Sequence, residues 1–584
     1  MNAKKECDEK SEKQDVAKPE TQSPAQAEEE SALKELLQVE EKYVPLITLL
    51  EKFSPGEDGI LLNKKLRHFE TTISSLCPEE RLVQEAFATI RAAALQSPVT
   101  ARKLAAVSAC FNSQPHLRRV FLNVVLQETF NKLDILERSD PRYLVNAANI
   151  MGDYFAKARL SNGQKVDFLA EPLLQYMRAL LASQDIRAHR SLATQLMVNG
   201  RELMSALPQE LDELTVSIRV RLLSPPPVSP TWLLLSADLC LNQFHPLPSY
   251  VSSIEVLVQQ FARHFVSCSW DIEQCSPVQS LCALKRLSRT GASWNNNQFL
   301  LYKKMGKGVE SFVWSVEVEL SDIDAKKECD EKSEKQDIAK PETQSPAQAE
   351  EESALKELLQ VEEKYVPLIT LLEKFSPGED GILLNKKLRH FEATISSMCP
   401  EERLVQEAFA TIRAAALQSP VTAHKLAAVG ACFNSQPHLR RVFLNVVLQE
   451  TFNKLDILER SDPRYLVNAA NIMGDYFAKA RLSNGKKVDF LAEPLLQYMR
   501  ALLASQDIRA HRSLATQLMV NGRELMAALP QELDELTVSI RVRLLSPPPD
   551  STTWLLLSAD LCLNQFHLLP SSLQKFYASH LELS

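Results

Sequence analysis

Histidine is the residue type here that most often serves as a general base or metal ligand, and its spacing argues against both roles. His68, His116, His189 and His245 lie far apart, without cysteine or carboxylate residues at metal-ligand intervals. We therefore interpret each as a core or surface imidazole. The chain also lacks a nucleophile elbow, a phosphate-binding loop, a dinucleotide-binding glycine pattern, HExxH and CxxC. These absences predict a non-enzymatic protein with no catalytic residues, metal, cofactor or small-molecule substrate.

Two basic groups are the candidate contacts for RNA or an acidic protein partner. They comprise Lys64, Lys65, Arg67, Arg118 and Arg119, together with their later equivalents Lys386, Lys387, Arg389, Arg440 and Arg441. The first three residues of each set could contact phosphate, or they could form an ordinary solvated helix face. The two adjacent arginines cannot both point into a core, so we expect one to line a groove or to pair with an acid such as Glu128.

Further arginines occur late in the same segment. They are Arg187, Arg190, Arg201, Arg219 and Arg221. Acidic neighbours such as Asp185, Glu202, Asp212 and Glu213 favour ion pairs within the molecule for this group.

An internal repeat dominates the sequence. Residues 3–249 (copy 1) recur as residues 325–571 (copy 2) at a constant offset of 322. The differences are Val16/Ile338, Thr71/Ala393, Leu76/Met398, Arg102/His424, Ser108/Gly430, Gln164/Lys486, Ser205/Ala527, Val228/Asp550, Pro230/Thr552 and Pro246/Leu568. We interpret all of them as mild or surface-compatible. So long a period exceeds that of a solenoid unit, and each copy is therefore predicted to be a complete domain.

The cysteines follow the duplication. Of the 11 in the chain, eight form four repeated pairs: Cys7/Cys329, Cys77/Cys399, Cys110/Cys432 and Cys240/Cys562. The other three, Cys268, Cys275 and Cys282, do not have the spacing of a zinc ribbon or finger. We expect most of the thiols to be small core residues in a reducing compartment.

Composition and local pattern favour an all-α protein. The 584 residues include only 14 glycines but 31 prolines, and several prolines stand where a helix begins, namely Pro78, Pro98, Pro115, Pro141 and Pro208. Apolar residues then follow a helical period in three stretches. They are Tyr143, Leu144, Ala147, Ile150, Met151, Tyr154 and Phe155; Val166, Leu169, Leu173, Tyr176 and Leu180; and Leu211, Leu214 and Ile218.

A helix around Phe121–Phe130 has apolar residues on several faces and is the candidate central element. Short turns between helices favour paired helices stacked as a HEAT-type α-α superhelix, present here in two near-identical copies.

The predicted organisation has five segments. They are an acidic, polar disordered tail over 1–30, a helical domain over 31–249, an irregular joining segment over 250–324, a second tail over 325–352 and a second helical domain over 353–580. The joining segment could begin with one amphipathic helix over 251–261. We interpret this segment either as translated non-coding sequence between two fused genes or as the linker of a bivalent protein.

The composition also constrains location and partners. A net charge of −8 argues against a general nucleic-acid coat. No apolar run is long enough to span a membrane, and the start of the chain lacks the apolar stretch of a secretory signal. We expect a cytoplasmic protein, with the nucleus as the alternative, and no membrane partner.

An ordered series of short motifs carries a family resemblance. The series is Leu180-Leu181-Ala182-Ser183-Gln184-Asp185, Asn199-Gly200-Arg201-Glu202-Leu203, Leu207-Pro208-Gln209-Glu210-Leu211-Asp212-Glu213-Leu214, Leu222-Leu223-Ser224-Pro225 and Leu233-Leu234-Leu235. It resembles the middle domain of eukaryotic initiation factor 4G. Within that family it is most similar to the subgroup of the cap-binding-complex-dependent translation initiation factor, the poly(A)-binding-protein-interacting proteins and the histone-mRNA stem-loop adaptors. The similarity covers about residues 31–249 of each copy.

The resemblance implies an adaptor for translation initiation. Proteins of this kind offer a helical surface to translation-initiation proteins or to cap- and poly(A)-associated proteins, and RNA is a further candidate partner. A helical-repeat scaffold for other cargo, such as a transport or ubiquitin adaptor, is the alternative.

Overall fold

The computed structural model describes residues 24–245 and 346–581, apart from 55–58, 112–113, 161–162, 227–228, 377–380, 434–435, 483–484 and 486. The fold is all-helical, and 82% of the described residues lie in helices. No strand occurs in these ranges, where the only extended pairings are isolated bridges such as that between Arg159 and Lys165. The all-α prediction is therefore confirmed.

Thirteen α-helices are described between residues 24 and 245. They are α1 (Pro24–Leu36), α2 (Val44–Glu51), α3 (Gly59–Leu76), α4 (Glu80–Gln96), α5 (Pro98–Ser108), α6 (Pro115–Val120), α7 (Glu128–Phe130), α8 (Leu133–Arg138), α9 (Pro141–Lys157), α10 (Ala170–Ala182), α11 (Ile186–Ala206), α12 (Pro208–Leu223) and α13 (Pro230–Leu241). Short 3₁₀ turns precede α2 and α10, and a π-helical segment, Phe121–Gln127, joins α6 to α7.

The helices described after residue 345 repeat the order of α1 to α13, and one further helix follows them. They are α14 (Pro346–Leu358), α15 (Val366–Glu373), α16 (Gly381–Met398), α17 (Glu402–Gln418), α18 (Pro420–Ala431), α19 (Pro437–Val442), α20 (Glu450–Phe452), α21 (Leu455–Arg460), α22 (Pro463–Lys479), α23 (Ala492–Ala504), α24 (Ile508–Ala528), α25 (Pro530–Leu544), α26 (Thr552–Leu563) and α27 (Ser571–Leu581). A second π-helical segment, Phe443–Gln449, joins α19 to α20.

The chain divides into two compact units, Met1–Ser183 and Gln184–Ser584. The first unit contains α1 to α10, and the second contains α11 to α27. The boundary lies within the predicted 31–249 domain, between α10 and α11. The proposed domain limits themselves stay a prediction.

Several helices begin at the prolines that the sequence indicates, and some of them have a side-chain cap. Pro98, Pro115, Pro141 and Pro208 are each the first residue of a helix, whereas α4 begins two residues after Pro78. The Ser97 hydroxyl accepts a hydrogen bond from the Thr100 amide, and the Asp140 carboxylate accepts one from the Arg142 amide. Such caps satisfy amides that have no partner within the first helical turn.

In the first unit, α9 forms the centre of the core. It packs against α4, α5, α8 and α10, and its predicted apolar face is buried from Leu144 to Phe155, with Tyr143 only partly covered. Val166 and Leu169 of the next predicted stretch are also buried, but they lie before α10, on the connection and 3₁₀ turn that lead into it. The helical period thus identified the buried side chains better than it identified the helix start.

The predicted central helix around Phe121–Phe130 contains a π-helical segment that the sequence did not indicate. Phe121, Val124, Val125 and Leu126 are all buried, so the expected covering from several sides is confirmed. The buried guanidinium of Arg91 donates to the Val124 carbonyl oxygen at 2.8 Å and to Glu128 at 2.7 Å. Arg413 repeats these contacts on Val446 and Glu450.

The second unit contains the helices of copy 2 and the end of copy 1. Helix α24 packs against α22, α23 and α26, while α11 packs against α13. Leu211, Leu214 and Ile218 are buried on α12, as predicted. Helix α12 also contacts α26 and α27, and α13 contacts α26.

The expectation that every difference between the copies is mild or surface-compatible is wrong at one position. Ser108 is 1% exposed. At the equivalent Gly430, an added Cβ would lie only 2.5 Å from the Phe443 ring. This difference therefore changes the aromatic core around the π-helical segment.

The first described helix of each copy extends into a range predicted to be a tail. Helix α1 begins at Pro24, and Glu29 forms an ion pair with Arg138 of α8. Helix α14 begins at Pro346. Residues 1–23 and 325–345, and the joining segment 250–324 with its predicted helix and its two possible origins, lie outside the described residues.

No helix in the described part of the chain is long and apolar enough to cross a membrane.

Candidate protein and RNA interaction surface

The first basic group lies on α3, whose two sides differ in character. Leu66, Phe69 and Ile73 are buried on one side. On the other, Ile60, Lys64, Arg67 and His68 are exposed at helical spacing, and Ile60 is 85% exposed. We call these four residues the α3 basic face.

The same arrangement recurs on α16. Ile382, Lys386, Arg389 and His390 are exposed there, and Ile382 is again 85% exposed. We call these residues the α16 basic face. Each unit thus presents one helix with two cations and an exposed apolar side chain.

Lys65 is not part of the α3 basic face, although it is adjacent to Lys64 in sequence. It is half-buried, and its ammonium group donates to the carbonyl oxygen of Lys52, which follows α2. Lys103 donates in the same way to Glu51. Because the last carbonyls of a helix have no partner within it, these lysines have a structural role at the end of α2. Lys387 makes the equivalent contact with Lys374.

The adjacent arginines point to different partners. Arg119 is exposed, and its Nη2 lies 3.1 Å from Glu80 Oε1. Arg118 is half-buried and near the Tyr154 hydroxyl: burial raises the pKa of Tyr154, and Arg118 partly opposes that rise. The acid that pairs with Arg119 is thus Glu80, whereas Glu128, the acid named as an example, pairs with Arg91.

In copy 2 the two equivalent arginines also have different neighbours, one an acid and the other a tyrosine. Arg441 pairs with Glu402 at 2.8 Å, and Arg440 lies beside Tyr476. These contacts leave the α3 and α16 basic faces as the better candidates for binding, because the other arginines already have internal partners.

An open groove of about 240 Å³ lies near the α16 basic face, where the end of α16 meets the starts of α17 and α19. Its lining residues are Ile395, Ser396, Cys399, Pro400, Glu401, Glu402, Val405, His438 and Val442. Burial raises the pKa of Glu392, one turn before this groove, while Gln436, Arg389 and His438 oppose that rise. Arg389 of the α16 basic face and His438 of the groove lining thus both act on the charge of Glu392.

The chemistry of these surfaces suits the binding of anionic groups. Exposed lysine and arginine can contact phosphate or carboxylate groups, and an adjacent isoleucine can cover an apolar base or side chain. No group of three or more histidine, cysteine, aspartate or glutamate residues that could hold a metal ion occurs in the described ranges.

His511 and its equivalent His189 are core residues, which is one of the two alternatives expected for His189. Both are fully buried. His511 Nδ1 lies 2.8 Å from the Ser551 hydroxyl, and burial lowers its pKa. This imidazole therefore joins two helices of the second unit and is inaccessible to a ligand.

The cysteines only partly fit the core prediction. Cys77 and Cys399 are buried, whereas Cys110, Cys240, Cys432 and Cys562 are intermediate in exposure. All six are free thiols. Burial of the sulfur atom raises the pKa of Cys240 and of Cys562 to about 11.

Internal pairing of the late arginines is confirmed for Arg187, whose Nη2 lies 2.6 Å from Asp185. For Arg219 the partner is one that the sequence reasoning missed, Asp560. The sequence does contain a feature that indicates such a pair. The apolar runs of α13 and α26 each include one carboxylate, Asp238 in α13 and Asp560 in α26. A buried carboxylate in such a run requires a cationic or hydrogen-bonding partner.

No protein-family model matches this chain, and no solved structure matches it.

Proposed function

We propose that this protein is a non-enzymatic adaptor for translation initiation. Each copy would act as a HEAT-type helical domain that binds cap-associated, helicase or ribosome-recruiting proteins, and RNA as well. In this proposal the protein acts in the cytoplasm.

The repeated basic face is the observation that supports binding most directly. Ile60, Lys64 and Arg67 on α3, and their equivalents on α16, remain exposed while the opposite side of each helix is buried. A helix kept in place by a core can bind without a large ordering cost. The motif series resembling the initiation factor 4G middle domain supports the choice of translation partners over other cargo.

Crosslinking of the native protein to RNA, followed by sequencing of the RNA and identification of co-purified proteins, tests the proposal. We expect mRNA together with translation-initiation or cap- and poly(A)-associated proteins. A complex lacking both RNA and these proteins would contradict it and leave the general scaffold for transport or ubiquitin cargo.

Charge reversal tests whether the basic faces carry the binding. Lys64→Glu with Lys386→Glu should weaken RNA or partner binding about tenfold or more without unfolding, because each substitution replaces an attractive contact with a repulsive one. Adding Arg67→Glu and Arg389→Glu should weaken it further. Binding is measured by fluorescence anisotropy at two salt concentrations, and folding by circular dichroism.

Lys34→Glu with Lys356→Glu is the matched control. Both lysines are exposed on α1 and α14, and the change in net charge is the same. Equal loss in the control would indicate a non-specific charge effect. Unchanged affinity in the basic-face variant would leave these residues as an ordinary solvated helix face.

A further inference from the structure

Two buried ion pairs connect copy 1 to copy 2 within the second unit, and they are reciprocal. Arg219 of α12 donates through Nε to Asp560 Oδ2 at 2.7 Å and through Nη2 to Oδ1 at 3.0 Å. In the opposite direction, Arg541 of α25 donates to Asp238 Oδ2 at 3.0 Å and to Oδ1 at 3.4 Å. Each copy therefore supplies one arginine and one aspartate.

These charges are removed from water and depend on each other. The side chains of Arg219 and Asp560 are 0% and 2% exposed, and those of Arg541 and Asp238 are 2% and 4% exposed. A buried charge without a partner is strongly unfavourable. A copy of this domain thus contains an arginine and an aspartate that need a complementary surface.

Further contacts surround the first pair. The Tyr577 hydroxyl donates to Asp560 Oδ2, and the Ser572 hydroxyl donates to Asp212 Oδ1 at 2.7 Å. Leu573 and Phe576 of the same helix, α27, are buried, and α27 packs against α12 and α26. The ion pairs are therefore part of a packed interface and not an isolated contact.

We propose that α12–α13 of copy 1 and α25–α26 of copy 2 are one self-recognition surface, whose partner is a second copy of the same domain. Reciprocal contacts between equivalent residues are the property of an isologous interface. In this chain the duplication supplies the partner covalently, so the two copies form an intramolecular dimer. The inference is independent of the proposed role in translation.

A cut in the full-length chain tests whether this surface holds the copies together without the covalent link. A protease site is introduced within residues 250–324, the folded protein is cut, and the mass is measured by light scattering during gel filtration at micromolar concentration. We expect the fragments to elute together at the mass of the uncut chain. Separate elution of the fragments, folded or unfolded, would overturn the proposal.

Exchange between molecules tests whether recognition is between like copies. Two preparations of cut protein, with different tags at the C-terminus of copy 2, are mixed and incubated, and one tag is captured. Because copy 2 contains both Arg541 and Asp560, we expect the second tag to be captured with the first. Capture of copy 1 alone would show a contact specific to the two different copies and would overturn self-recognition.

Substitutions at the second ion pair identify the residues responsible. Arg541→Met and Asp238→Leu should each weaken association of the cut fragments about 30-fold or more, because each leaves a buried charge unpaired. The double variant, Arg541→Met with Asp238→Leu, leaves neither charge buried without a partner. It should therefore associate more tightly than the weaker of the two single variants. Independent, additive effects would exclude this pair as the basis of recognition.

Arg509→Met is the control for these variants. Arg509 pairs with Asp507 of its own copy at an exposed position, and its substitution should leave association unchanged.

Discussion

Position 424 gives copy 2 a pH-dependent contact that copy 1 does not share. His424 Nδ1 lies 2.5 Å from Asp475 Oδ2. The hydrogen bond to Asp475 raises the pKa of His424 above its ordinary value, although burial opposes the rise. Copy 1 has Arg102 at this position in place of the histidine.

This contact should make the second unit more stable in mild acid. The pKa of His424 is higher in the folded state than its unfolded value near 6.5, so the contribution is fully present below about pH 6.5 and is lost as the pH rises through the folded pKa. We expect His424→Arg to remove this part of the pH dependence. Urea unfolding between mildly acidic and mildly basic pH measures it, and NMR titration of the imidazole gives the pKa directly.

Arg102→Ala in copy 1 is the comparison for that experiment, since it removes a cation at the same position without removing a titrating group. A folded pKa of His424 at or below 6.5 would contradict the prediction.

At the scale of helices, the end of α26 determines which residue α24 can have at position 522. Phe566 lies just after α26 with φ of 58°, a left-handed backbone conformation that directs its ring over α24. A Cβ added to Gly522 would lie 2.3 Å from that ring. The glycine of the Asn-Gly-Arg-Glu-Leu motif therefore permits close approach of an aromatic ring, as Gly200 does beneath Phe244.

Gly522→Ala should lower the free energy of unfolding by about 1–3 kcal/mol, because the Phe566 ring must move out of a packed position. Chemical denaturation followed by circular dichroism measures the change. Gly381→Ala is the control: it lies at the start of α16 with open space around it, and alanine there should be neutral or slightly stabilising. A Gly522→Ala variant as stable as the parent would show that the ring moves without cost.

The π-helical segments show where helix prediction from sequence is incomplete. The run Phe121–Gln127 has the apolar pattern of a helix, and nothing in its composition distinguishes α from π. The structure adds a contact from outside the segment, because the guanidinium of Arg91, 33 residues away, donates to the Val124 carbonyl oxygen. Such a contact depends on packing between helices and is not determined by local propensity.

At the scale of the whole molecule, the duplication places two basic faces on one chain. If both contact one RNA, binding of the first raises the effective concentration of the second. This expectation rests on the proposed function, and it concerns RNA long enough to reach both faces.

Inactivating one face should therefore affect long RNA more than short RNA. Lys64→Glu with Arg67→Glu, in copy 1 alone, should lower affinity for a long RNA about tenfold or more but for a short RNA by only about twofold. Titrations with two lengths of the same sequence measure the ratio, and Lys386→Glu with Arg389→Glu should have a matching effect. Equal loss for both lengths would argue against bivalent binding.

The sequence by itself determined the helical class, the buried face of α9, and the helix starts at Pro98, Pro115, Pro141 and Pro208. These features depend on residues within a few positions of each other, so the local pattern is sufficient to predict them. It also identified the candidate basic residues, but not which of them would be exposed.

Only the tertiary structure separated Lys64 and Arg67 on the exposed face from Lys65 at the end of α2. It alone also paired Arg219 with Asp560, 341 residues further along the chain. A charged side chain has many possible partners in a sequence, and burial selects among them because a charge removed from water must find its complement. The identity of that complement is a property of the packed helices.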